Sequence, residues 1–227
     1  MNQEESINAS CAKIYSDSAA IVEFFINEGT EIINKANIIK SKLIEFDSEV
    51  VKDVSSNITC RSGCSYCCRG MKVICDKYDA VSIYIAVRDR FGISSVKFKN
   101  WINLVSYYSK IINEGASYEN IDCPVLDQTK GMCMAYNFRP MVCRAYNSVN
   151  VDDCIDKFRN KRNGEIRTNV PIYATYLSSS EAMFDKANLQ RLDLTLSLNH
   201  IANCYPLVNS DSDVSLMEFP EECLLKE

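Results

Sequence analysis

Cysteine is the residue that carries chemistry in this sequence. The segment Cys60-Arg-Ser-Gly-Cys64-Ser-Tyr-Cys67-Cys68 sets three thiols at offsets of 4, 7 and 8 from the first. On one helix, at about 100° and 1.5 Å per residue, the four would share a stripe about 12 Å long. A zinc ion holds each sulfur at about 2.3 Å, so such a stripe cannot serve one ion from both ends. Either the chain bends, with Gly63 the obvious place, or the thiols are shared between two centres completed elsewhere. Adjacent Cys67 and Cys68 favour one ligand to each centre.

A second group supplies partners: Cys123, Cys133, Cys143 and Cys154, spaced 10, 10 and 11 apart, with turn-forming Gly131 and Pro140 close by. Eight cysteines in two groups of four suit two four-thiolate centres, or one centre plus structural or redox thiols. The single histidine, His200, lies outside both groups, so a site here is all-thiolate. Soft sulfur ligands select zinc, iron–sulfur clusters or Cu(I). Four thiolates on zinc or on a 4Fe–4S core leave a net charge of about −2. Arg61, Arg69, Arg139 and Arg144 lie near candidate ligands and would offset it.

Composition narrows the class. The 227 residues include 12 cysteines, too few for a pure disulfide scaffold. A net charge of −5 and a pI of about 5.1 disfavour a nucleic-acid binder. The opening Met-Asn-Gln-Glu-Glu-Ser has no basic or apolar leader character, and no apolar run is long enough to span a membrane. The expectation is a cytoplasmic protein with no membrane partner, in which clustered cysteines read as metal-binding or catalytic.

Taken in order, the pieces resemble a known pattern. Cys60-x3-Cys64-x2-Cys67-Cys68 is followed by Cys123-Pro-Val-Leu, by Gly131-Met-Cys133-Met-Ala-Tyr136-Asn-Phe-Arg139-Pro140-Met-Val-Cys143-Arg144-Ala-Tyr, and by Cys154. This resembles the YkgJ-type cysteine-cluster family, described as a zinc- or iron-chelating domain; flagellin lysine N-methylase carries a similar domain. The likeness covers about residues 60–154. It implies that Cys60, Cys64, Cys67, Cys68, Cys123, Cys133, Cys143 and Cys154 are the metal-site residues. It also singles out Tyr136, Arg139 and Arg144, with Pro140, as groups beside the cofactor. Members usually carry an acidic residue at the start of a helix after the double cysteine, and Asp79 is the candidate here. Cys75 is an extra thiol. Cys11, Cys204 and Cys223 fall outside the motif and read as buried small hydrophobes.

These residues need elements to hold them. Val22, Phe25, Gly29, Ile32, Ala36, Ile39, Leu43, Phe46 and Val50 recur at steps of 3 and 4, a heptad-type stripe flanked by Ile26, Ile33, Ile38 and Ile44. It predicts a long N-terminal helix, or a hairpin if Gly29 breaks it, packed on the rest over residues 1–56. A cysteine-cluster domain follows over 57–160. Within it a helix is predicted near 77–90, where alternating Val81, Ile83, Ile85 and Val87 also fit a strand. Another is predicted over 98–114 on Trp101, Leu104, Val105, Tyr108, Ile111 and Ile112, stopping at Gly115. Residues 161–227 read as a C-terminal helical segment packed on the cluster domain. There Pro171 opens one helix, Ser178–Ser180 cap another near 181–202, and Asn-Ser-Asp-Ser-Asp after Pro206 forms a loop. The predicted fold is mostly α, irregular and loop-rich, organised around an all-cysteine metal site.

Three functions remain open at this point. One is a cysteine-ligated metal-binding protein, with a 4Fe–4S cluster or zinc. The second, implied by the N-methylase likeness, is S-adenosylmethionine-dependent methyl transfer to a protein lysine, with Arg139 or Arg144 clamping a carboxylate. Gly63, Gly70, Gly92 and Gly115 stand singly, so the sequence has no Gly-rich nucleotide loop to support it. The third is a thiol redox or interaction protein using Cys64 and Cys67, which lacks the βαβ setting of thioredoxin-like proteins.

Overall fold

The computed structural model describes residues 3–26, 32–53, 58–61 and 63–204. Gly29, Cys223 and the loop predicted after Pro206 lie outside the described residues. The fold is mostly α and loop-rich, as predicted. Among the described residues no helix is long and apolar enough to cross a membrane.

Two helical groups flank the cysteines. In the first, α1 (Gln3–Ile26) and α2 (Ile32–Val50) pack with α7 (Val170–Lys186). Val22, Ile39, Leu43 and Met183 form its core together with Met141 from α5 (Met141–Ala145). The predicted stripe holds at Val22, Ile39 and Leu43 and then departs from the pattern. The buried row of α2 is Ile39, Leu43 and Asp47, continued by Val51 just past its end, while Val50 is 43 % exposed. Steps of four follow one ridge of a helix. The third residue of the ridge is an acid that meets Ser179 of α7, a position that a count of apolar residues passes over.

In the second group α3 (Lys77–Phe91), α4 (Val96–Asn113) and α8 (Leu194–Cys204) share a core. Every residue from Tyr78 to Ile85 is buried, as is Val87. A helix enclosed on all sides has no polar face, which is why its sequence also reads as a strand. Asp76 caps it by accepting the amides of Tyr78 and Asp79, and the Asp79 carboxylate accepts the Asp76 amide in return. In α4, Trp101 stacks on Phe98 and donates Nε1 to the Pro124 carbonyl at 2.8 Å. The helix stops as predicted at Gly115, where φ is +91°.

The C-terminal expectations need correction. Ser178–Ser180 cap nothing; they lie inside α7, with Ser179 fully buried. Asn169 is the cap, accepting the Ile172 amide, with Pro171 in the first turn as predicted. No single helix spans 181–202. The chain leaves α7 at Lys186, turns through left-handed Asn188 and forms β4 (Leu192–Asp193) before α8 begins. Asp193 accepts the Leu196 amide and so starts α8 afresh. β4 pairs antiparallel with β1 (Ile74–Cys75), and β2 (Leu126–Asp127) pairs with β3 (Met132–Cys133). Each strand is two residues long, too short to show a sequence period.

Candidate metal centre

The described residues between Cys60 and Cys68 form no helix. They run as successive turns, with the amides of Cys64, Cys68 and Arg69 bonded to the carbonyls of Arg61, Ser65 and Tyr66. Gly63 adopts φ +86°, so the expected bend falls there. Two ties anchor this segment. At one end the Thr59 amide donates to the Ser148 carbonyl at 2.8 Å, and the Ser148 amide donates to Cys60 Sγ at 3.3 Å. At the other the Cys123 amide donates to the Cys68 carbonyl at 2.7 Å, beside an Arg69–Asp122 ion pair at 3.0 Å. The β2–β3 hairpin closes over the turns. Its Gly131, at φ +62°, lies so near that a Cβ there would stand 3.3 Å from the Gly63 carbonyl.

The result is one cavity of about 270 Å³, lined by Cys60, Cys64, Cys67, Cys68, Cys123, Cys133 and Cys143. Cys154 ends α6 (Val151–Cys154), just before a π-turn over Ile155–Arg159; it is buried against Ser148, within electrostatic reach of Cys60, Cys64 and Cys67. Electrostatic influence among the thiols runs in two groups. Cys60, Cys64 and Cys154 make one, and Cys123, Cys133 and Cys143 the other. Cys67 acts on members of both, and hydrogen-bonds to Cys68. Among the described residues no three His, Cys, Asp or Glu side chains already stand in a geometry that grips one ion. The donor set nevertheless fits a thiophilic metal, because sulfur atoms face a common space beside a cation.

Crowding and burial govern the thiols. Burial raises Cys60, Cys123, Cys133 and Cys143, and lifts Cys154 to about 11. For Cys67 the hydrogen bond with Cys68 raises it first and burial adds to that. Arg139 acts in the opposite sense on Cys60, Cys67, Cys133 and Cys143. Its guanidinium lies 3.8 Å from the Tyr136 ring centre, and its Nε donates to the Tyr136 carbonyl at 3.2 Å. This stacked fork is the central cation of the site. Tyr136, Arg139 and Arg144 all line the cavity, and Arg144 donates Nη2 to the Asn137 carbonyl at 3.0 Å.

Other named residues fall elsewhere. Cys75 is fully buried in the α3–α4–α8 core. Asp79 is bound by Lys40 Nζ at 2.6 Å in addition to its capping bond. Arg69 is spent on Asp122 and Gln128. Cys11 sits partly exposed on α1, and Cys204 is 3.6 Å from His200 Nε2. The sequence reading missed Val51, Asn147 and Tyr176, which line the cavity from the helical hairpin, from the loop after α5 and from α7. It also missed Asp47, fully buried, whose carboxyl burial raises to about 7 against the Ser179 hydrogen bond and, less, Arg144. An acid on an otherwise apolar helix face was the available signal.

Residues 59–168 match a family model, CxxCxxCC, described as "Putative zinc- or iron-chelating domain". No curated protein and no solved structure matches the chain.

Proposed function

From the premise that residues 59–168 carry a CxxCxxCC metal-chelating domain, we propose that the eight cysteines hold metal as two four-thiolate sets. Cys60, Cys64 and Cys154 supply one set and Cys123, Cys133 and Cys143 the other, each completed by one of the Cys67–Cys68 pair. The observation that carries this reading is the shared cavity, which seven of these thiols line from four separate stretches of chain.

The cation content supports it. Each four-thiolate centre leaves negative charge behind, and Arg139 already favours the thiolate form of four of the cysteines. Between iron–sulfur and zinc, the space favours iron–sulfur. A closed zinc site wraps its sulfurs at about 2.3 Å around a bare ion. A cavity of about 270 Å³ among the thiols leaves room for a group that brings atoms of its own, as an iron–sulfur cluster does. Bound iron–sulfur would supply electron transfer or an open iron; zinc would supply a structural clamp.

The test is purification without oxygen, followed by absorbance and by assay of iron, zinc and acid-labile sulfide per chain. A brown protein with sulfide matching iron is expected. A colourless protein with two zinc ions per chain would replace the cluster with zinc and keep the thiolate sets. A protein without metal and with oxidised cysteine pairs would overturn the proposal. Cys68→Ser should shed metal while Cys223→Ser keeps it.

A further inference from the structure

Three guanidinium groups line the cysteine cavity, Arg61, Arg139 and Arg144, and among the described residues no carboxylate does. Among the described residues the arginines in ion pairs are Arg69, Arg88, Arg90, Arg162, Arg167 and Arg191, none of them in this wall. The thiolates account for Arg139, which acts on four of them. Arg144 is held less by them: Cys143 acts on it, but behind Tyr176 and Tyr136. Its Nη2 is taken by the Asn137 carbonyl, but its Nε is buried with no acceptor. Asp47, a carboxylate that feels it, bonds instead to Ser179 Oγ at 2.6 Å, and its Oδ2 is likewise buried without a partner. Arg139 lies close enough to Arg144 to repel it.

Two guanidinium groups in one wall, one of them with an unspent donor just beneath the surface, offer charge and hydrogen bonds to an anion. A buried donor without an acceptor is a standing penalty that an oxyanion removes. Arginine forks match planar or tetrahedral oxygens two at a time. The stacking of Arg139 on Tyr136 fixes one fork in advance, so little order is lost on binding. Tyr176 adds a phenol to the same wall.

We infer that Arg144, with Arg139, binds a small oxyanion, a carboxylate or a phosphate, in the wall of the metal cavity. The inference rests on the metal reading, and gives that chamber a second ligand and a substrate class.

The experiment titrates the metal-loaded protein with malonate, and separately with inorganic phosphate, by calorimetry at constant ionic strength. The metal content of each sample is measured alongside. One anion per chain is expected, bound at least tenfold more weakly by Arg144→Gln and equally well by Arg162→Gln. The tighter of the two probes names the class. If Arg144→Gln also sheds metal, Arg144→Lys, which keeps the charge and loses the fork, carries the comparison. Absence of binding by either probe overturns the inference, as does equal binding by wild type and both Arg144 variants. Loaded metal without anion binding sinks this inference alone. Anion binding through Arg144 in a chain that takes up no metal sinks the metal reading and leaves the anion site standing.

Discussion

The amide of Cys123 donates to the carbonyl of Cys68 at 2.7 Å, joining the last thiol of the first group to the first thiol of the second through the main chain. The antiparallel bridge between Arg69 and Asp122 continues the contact. Backbone bonding therefore brings the two thiol groups together.

That junction depends on Gly70. A Cβ there would stand 3.0 Å from the carbonyl oxygen of Glu119 and 3.2 Å from its Cα, at φ +127°. Gly92 has a comparable positive φ with nothing within 4 Å. Gly92→Ala should cost about 1 kcal/mol, from conformation alone. Gly70→Ala should cost more, about 2–4 kcal/mol, because backbone must move as well. Urea unfolding of the two variants makes the comparison. Equal losses would mean that the Glu119 segment yields freely.

Lys40 reaches from α2 to the cap of α3, with Nζ 3.0 Å from Asp76 and 2.6 Å from Asp79. All three side chains are nearly buried, so removing the cation strands two carboxylates. Lys40→Met is expected to lose about 3–5 kcal/mol. Lys40→Met combined with Asp79→Asn should recover part of it, since fewer charges are then buried unpaired. A double variant less stable than Lys40→Met would contradict this account.

Asp47 gives the fold a pH dependence. Burial holds its carboxyl at about 7, and burial with Asp76 beside it raises Asp79 as well. A raised folded value means that the native state keeps its proton longer than the unfolded chain does. The stabilisation is complete below about pH 4 and is lost as pH climbs through about 7. Wild type should therefore be weaker at pH 8 than at pH 5, by at most a few kcal/mol from this group. Asp47→Asn keeps an acceptor for Ser179 without the charge, and its profile should be flatter. An unchanged slope of urea midpoint against pH in that variant would remove Asp47 as the cause.

Much of this was legible beforehand, for physical reasons that differ by element. α3 and α4 were visible because caps and glycine stops sit at their ends and their cores are apolar. The C-terminal break was hidden because Leu189, Leu192 and Leu196 keep helical spacing across a turn that only the left-handed Asn188 betrays. The cysteines stood out by their spacing, and seven of the eight line one cavity. The rest of the cavity wall was not, since Val51, Asn147 and Tyr176 arrive by tertiary packing and carry no local signal. Asp79 shows the opposite case: its place at a helix start was read correctly, and its partners, Lys40 and the Asp76 amide, are supplied by folding.

The division of thiols around Cys67 makes the sharpest prediction. Cys60, with Cys64 and Cys154, answers to Cys67 from one side, and Cys143, with Cys123 and Cys133, from the other. If each side is a separate four-thiolate set, losing one ligand should empty that set and spare its neighbour. Cys60→Ser and Cys143→Ser are then each expected to keep about half of the wild-type metal, and the double variant almost none. Cys75→Ser should keep full metal per folded chain, because its sulfur lies in the apolar core rather than at the cavity. Metal analysis on anaerobically purified variants, corrected for the folded fraction by circular dichroism, gives the answer. Complete loss in either single variant would mean that all the thiols serve one centre.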